Sequence, residues 1–242
     1  MRDSVRRDRQ GLIGLTLAWL VCSILCGDGL SRPAEAQPDA TITYKPPQRG
    51  APGGREGAGT RGLKESLTLT VLAPKDHTGL TAQEQPVLYW YLSQETRQPV
   101  EVILTDRQSV KPLMSIRLNP PLQPGMQRVR LADYNIHLVL GMSYKWSVAL
   151  VRDAAQRSYD VITAGTIERI ELPNELRRQP VQANTMTAAR LYANAGLWYD
   201  TIAALSELMD TRPQDTAVRQ QRAALLEQEG LTAAAAYDRQ HK

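Results

Sequence analysis

Apolar and polar positions change period once along the body of this chain. From Leu67 to Ile170 they alternate: Leu67, Leu69 and Val71 fall between Thr68 and Thr70, the period-two signature of a strand. Seven short strands are predicted, at residues 67–71, 86–92, 100–104, 113–118, 127–131, 144–152 and 161–170, separated by Pro, Gly, Asp and Gln. Short strands with no long helix between them make an antiparallel sandwich. After Pro173 the period becomes helical. The pattern predicts one helix before Gly196, a second from Trp198 to Pro213 and a third from about Asp215 to Glu229 that carries Val218, Leu225 and Leu226. The expected fold class is therefore α+β: an immunoglobulin-like β-sandwich over residues 67–172, then a helical segment over 182–238 built on a C-terminal hairpin.

Two local patterns sharpen this. Leu138, Gly141, Tyr144, Trp146 and Val148 resemble the entry to the penultimate strand of immunoglobulin-like and fibronectin type III domains. There a corner tyrosine bonds back to the preceding loop. Tyr144, Trp146 and Val148 would face inward, Lys145 and Ser147 outward. Ala189, Tyr192, Gly196, Trp198, Leu205 and Pro213 have the spacing of a tetratricopeptide repeat, with Thr201 and Leu208 departing from its pattern. One such repeat cannot bury its own apolar face. Its stripe of Ile202, Leu205 and Met209 must dock on the sandwich or on a partner.

The N-terminus alters the inventory. Arg2, Arg6, Arg7 and Arg9 precede an apolar run from Leu12 to Cys26, and Ala34-Glu35-Ala36 follows. This is the layout of a cleavable signal peptide over residues 1–36, and it predicts a periplasmic or extracellular protein with no transmembrane helix after cleavage. Both Cys lie in that segment, so thiol chemistry is not expected of the mature chain. The net charge of +4 rests on 29 basic and 25 acidic residues, too balanced for a nucleic-acid binder. Residues 37–66 are rich in Gly, Pro and Arg and read as a flexible arm. Lys45, Arg49, Arg55, Arg61 and Lys64 make it locally cationic, a candidate contact to acidic polysaccharide or lipid head groups. Gly57, Gly59 and Gly62 match G-x-G-x-x-G, but no strand precedes them and no helix follows, so no dinucleotide or other cofactor is implied.

Catalytic chemistry finds little support. His77, His137 and His241 show no metal-ligand spacing. His77 reads as a solvated turn residue. His137 could be drawn beside Ser109 or Ser143 with Asp106 or Asp133, but no nucleophile elbow exists. Glu84, Glu95, Glu101, Asp106 and Asp133 are candidate carboxylates whose separations the sequence does not fix. Aromatics are the better candidates for binding. On a strand, Tyr89 and Tyr91 point away from Trp90, either as edge cover or as an exposed platform. Trp198 is expected inside and Tyr199 outside, with Arg190 on the same outer face.

Several segments together carry a family resemblance. Pro46 to Gly54, Gly59-Thr60-Arg61-Gly62, Gly79-Leu80-Thr81, Tyr144-x-Trp146 and Tyr192-Ala193-x-x-Gly196-Leu197-Trp198-Tyr199-Asp200 resemble the domain of unknown function (DUF) 928 family. The resemblance spans about residues 44–231 and implies an exported cyanobacterial protein; it supplies no catalytic residue. The expectation is a non-enzymatic interaction module whose partner is another envelope or exported protein. The candidate binding residues are Tyr89, Tyr91, Arg190 and Tyr199. The alternative is a carbohydrate-binding protein or hydrolase acting on cell-surface polymer.

Overall fold

The alternating region folds into eight strands: β1 (Leu69–Val71), β2 (Gly79–Thr81), β3 (Val87–Leu92), β4 (Val100–Asp106), β5 (Met114–Leu118), β6 (Gly125–Arg130), β7 (Ser143–Leu150) and β8 (Val161–Arg169). The computed structural model describes residues 41–47, 53–57, 67–106, 111–178 and 185–240, all within a compact unit spanning Ala40–Lys242. The expected signal peptide, like Arg49, Arg61, Lys64, Ser109 and His241, lies outside the described residues.

The strands form two sheets, β1-β3-β6 and β2-β8-β7-β4-β5. Every pairing is antiparallel except β2 with β8. β1 also packs against β7 and β8, so the sheets share a core. Leu88, Trp90 and Leu92 enter it from β3, Val102 and Leu104 from β4, and Trp146 and Val148 from β7, all fully buried. Seven strands lie where the alternation puts them. β2 escaped because three residues are too few to show a period.

Five helices follow: α1 (Asn174–Arg177), α2 (Met186–Asn194), α3 (Trp198–Thr211), α4 (Thr216–Gln228) and α5 (Thr232–Gln240). The Thr185 hydroxyl caps α2 by accepting the Ala188 N–H, and the Asp215 carboxylate caps α4 by accepting the N–H groups of Ala217 and Val218. Gly196 and Gly230, at φ 75° and 68°, make the turns before α3 and α5, where a side chain would be strained. The alanine run of α5 favours a helix without showing a periodic stripe, so the pattern did not reveal it. Fold class is α+β, with two mostly antiparallel sheets and five α-helices among the described residues. Ile202 and Leu205 are buried and Met209 is half-buried, with α3 against β2 and β3 and α5 against β6. The stripe is thus covered within the chain.

The arm departs most from expectation. Residues 41–47 and 53–57 pack onto the body, with Ile42 and Tyr44 buried at 2% and 1% exposure. Two α4 glutamines seven residues apart replace a neighbouring strand. Gln221 Oε1 accepts the Ile42 N–H at 2.6 Å. Gln228 exchanges bonds with both the N–H and the carbonyl of Tyr44, at 2.9 and 2.5 Å. Lys45 N–H then donates to Ala193 O at 3.0 Å. Further on, Glu56 pairs with Ala164 of β8 through two backbone bonds. Arg55 donates to the carbonyls of Ala73 and Glu229. In its described parts the arm is a strap, and Arg55 is engaged with the protein's own backbone rather than offered to a surface.

Candidate functional site

The strap, the Gly196 turn, the start of α3 and β2 meet at one place, where several segments carrying the family resemblance come into contact. Tyr44 packs edge-on against Trp198 at 5.1 Å between ring centroids and stacks on His77 at 5.7 Å. Its hydroxyl bonds His77 Nε2 at 2.9 Å. Burial, with Glu229 and Tyr199 nearby, holds that hydroxyl well above the usual tyrosine range. His77 is therefore a half-buried partner of the strap rather than a solvated turn residue. Trp198 Nε1 donates to Leu72 O at 2.9 Å. Gly196 lets the strap pass close: a Cβ there would lie 3.0 Å from Lys45 O.

Tyr199 points inward, contrary to expectation, at 2% exposure. Trp146 Nε1 donates to its hydroxyl, which donates onward to Thr166 O, both at 2.9 Å. Its ring lies against Gly79, where a Cβ would meet it at 2.6 Å. With two ring systems to bury at the head of one helix, α3 presents both Trp198 and Tyr199 to the sheets, and neither faces solvent.

Asp200 follows in the first turn of α3, at 4% exposure. Its Oδ2 accepts the Ala82 N–H at 3.1 Å, which ties α3 to the end of β2. Its Oδ1 has no hydrogen-bond partner among the described residues. Desolvation raises its pKa to about 6, while Thr81, Ala82 and Gln83 pull the other way. The carboxylate lines a cavity of about 300 Å³, with Gln83 and Gln85 beside β2, Tyr192 from α2 and Glu207 two turns further along α3. Among the described residues, no Lys, Arg or His lines this cavity. An unpaired carboxylate beside a second acidic side chain can receive a cation or a hydrogen-bond donor, and it repels anions.

The other candidate residues are placed differently. Tyr89 and Tyr91 are buried, at 3% and 6% exposure, because the helices cover their face of β3. The Tyr91 ring meets Tyr237 of α5 at 5.6 Å. Neither is an exposed platform. Arg190 is half-buried on α2 and is not a free cation. Among the described residues the large exposed apolar side chains are Leu113, Tyr134, Val139, Leu140, Tyr159 and Ile162, none of them on α1 to α5. His137 contacts Glu84, Asn135 and Gln85, while Ser143 donates to Glu168 at 2.8 Å. Glu101 is held by Arg157 and Arg117, and Arg157 keeps it below the usual carboxylate range. None of the carboxylates singled out from the sequence lines the cavity. Of the two that do, Asp200 ends the run that carries the family resemblance, and Glu207 was signalled only by its seven-residue spacing from Asp200, which puts both on one helix face.

The corner at β7 is as expected: Tyr144 is buried and its hydroxyl accepts the Val139 N–H at 2.9 Å. Among the described residues, no helix is long and apolar enough to cross a membrane. No curated protein matches the chain. The family model described as Domain of Unknown Function (DUF928) matches residues 56–238, from the Glu56 bridge into α5, and the chain belongs to that family.

Proposed function

We propose that this chain is a non-enzymatic recognition protein of the cell envelope, exported by a cleaved leader and built as an immunoglobulin-like sandwich with a helical hairpin docked on it. Recognition takes place in the cavity beneath α3, and the group it receives is a cationic side chain of a partner protein. The observation that carries this reading is Asp200, a buried carboxylate with one oxygen unpartnered at the wall of an acidic cavity. Leaving such a charge unpaired costs several kcal/mol. A bound ammonium or guanidinium would recover much of that cost. Tyr192 supplies an aromatic neighbour for the same cation.

A second reading follows from the two glutamine amides at the rim, which with Tyr192 suit the hydroxyls of a sugar. Thermal melting with added n-butylammonium, methylguanidinium or glucose, at matched ionic strength and pH 7.5, distinguishes the two. Saturable stabilisation by either cation, lost in Asp200→Asn and Glu207→Gln, is the expected result. Stabilisation by glucose alone would move the reading to carbohydrate. No response to any of the three would end it.

A further inference from the structure

A different face of α3 carries a cleft with a mostly basic lining, none of whose residues lines the acidic cavity. A cleft of about 480 Å³ lies between β3, β6, α3 and α4, and its polar lining includes Tyr89, Arg128, Ser206, Asp210, Arg219 and Arg222. Most of these groups are already committed. Arg222, at 5% exposure, grips Asp238 with two bonds of 2.6 and 2.7 Å and donates a third to Ser206 Oγ at 2.8 Å. Ser206 in turn donates to Ile202 O. Arg128 pairs with Asp210. One guanidinium nitrogen of Arg219 donates to Pro213 O.

Two donors remain. The Tyr89 hydroxyl and Arg219 Nη1 are both buried and both without a hydrogen-bond partner among the described residues. Ser206 and Arg128 come near the hydroxyl without completing a bond to it. Buried donors left unpaired cost about 1–3 kcal/mol each, so a site holding two of them is shaped for an acceptor. The lining agrees. Within the cleft three guanidiniums face the single carboxylate of Asp210; Asp238 lies behind it, and Glu207, which lines the acidic cavity, also acts on the Tyr89 hydroxyl from that side. A guanidinium beside a hydroxyl donor suits an oxygen anion.

We infer that this cleft binds a compact oxyanion, a phosphate, sulfate or carboxylate group, through Arg219 Nη1 and the Tyr89 hydroxyl. Melting of the full chain with inorganic phosphate, sulfate or acetate, each against sodium chloride at equal ionic strength, tests this and ranks the three chemistries. At roughly tenfold excess over its dissociation constant, the preferred anion should raise the melting temperature by about 3–6 °C. Arg219→Gln should abolish that shift. Tyr89→Phe should melt at or above the parent temperature without anion, since the hydroxyl it removes is unpartnered, and should lose most of the anion response. Three results would overturn the inference: no anion-specific shift, an equal shift in Arg219→Gln, or a Tyr89→Phe protein that melts well below the parent in anion-free buffer.

Discussion

Tyr44 and Tyr144 are both buried tyrosines whose hydroxyls pin an irregular segment, yet one was hidden in the sequence and the other was plain. Tyr144 bonds Val139, five residues back, within a single strand entry. Tyr44 bonds His77 and packs on Trp198, 33 and 154 residues away along the chain. The Tyr144 contact is written locally, by a spacing of Gly, Tyr and Trp on an alternating strand. The Tyr44 contact is made by parts that meet only once the sheets and helices have assembled. Local geometry is legible in a sequence, whereas long-range geometry shows only as residue types that look out of place.

The largest effect expected from this contrast is at the strap. Tyr44→Ala removes a buried ring from between Trp198 and His77 and should cost about 3–5 kcal/mol. A residue in a free arm would change stability by no more than about 0.5 kcal/mol. Urea denaturation of parent and variant measures the difference. A midpoint within error of the parent would mean that the strap does not hold the protein together.

The strap was legible in principle. Thr41, Ile42, Thr43 and Tyr44 alternate out, in, out, in, as a strand does. Four residues beside a run of Gly and Pro did not outweigh that composition, and their partners, Gln221 and Gln228, are side chains on a helix that no strand pattern marks. The β-region was legible because β7 and β8 alternate over eight and nine residues. The inward turn of Tyr199 was not, because it depends on Gly79 leaving room for the ring. Asp200 was hidden for a related reason. Nothing in Trp198-Tyr199-Asp200 says that all three are buried together, and helical periodicity alone would put one of them outside.

Asp200 gives the next effect, a pH dependence confined to one carboxylate. Its native pKa of about 6 lies above the ordinary value of 3.8, so between those values the folded protein holds a proton that the unfolded chain releases. Stability from this group is therefore full below about pH 4 and is lost as pH rises to 6, by about 3 kcal/mol in all. Asp200→Asn should remove that slope. The stability difference between variant and parent should grow in favour of the variant from pH 4 to 6 and level off above it. A constant difference across that range would mean that the carboxylate is not held in its buried, unpaired state. Tyr44→Ala, by contrast, should show no such window, which separates the strap from the cavity.

The smallest effect belongs to the most legible feature. Tyr144→Phe keeps the ring in the core and removes only the acceptor for the Val139 N–H. The bond is only part-buried and Val139 is 55% exposed, so less than the full cost of an unsatisfied buried donor is expected. The expected loss is about 0.5–1.5 kcal/mol by urea denaturation, several-fold below Tyr44→Ala. The corner also has other support: Arg169 donates to Leu138 O at 2.7 Å and the Gly141 N–H donates to Arg169 O at 2.7 Å. If Tyr144→Phe cost as much as Tyr44→Ala, the loop before β7 would depend on that hydroxyl alone, and the contrast between the local corner and the long-range strap would fail. A small loss at Tyr144 with a large one at Tyr44 would show that the contact hardest to read contributes more to stability than the one easiest to read.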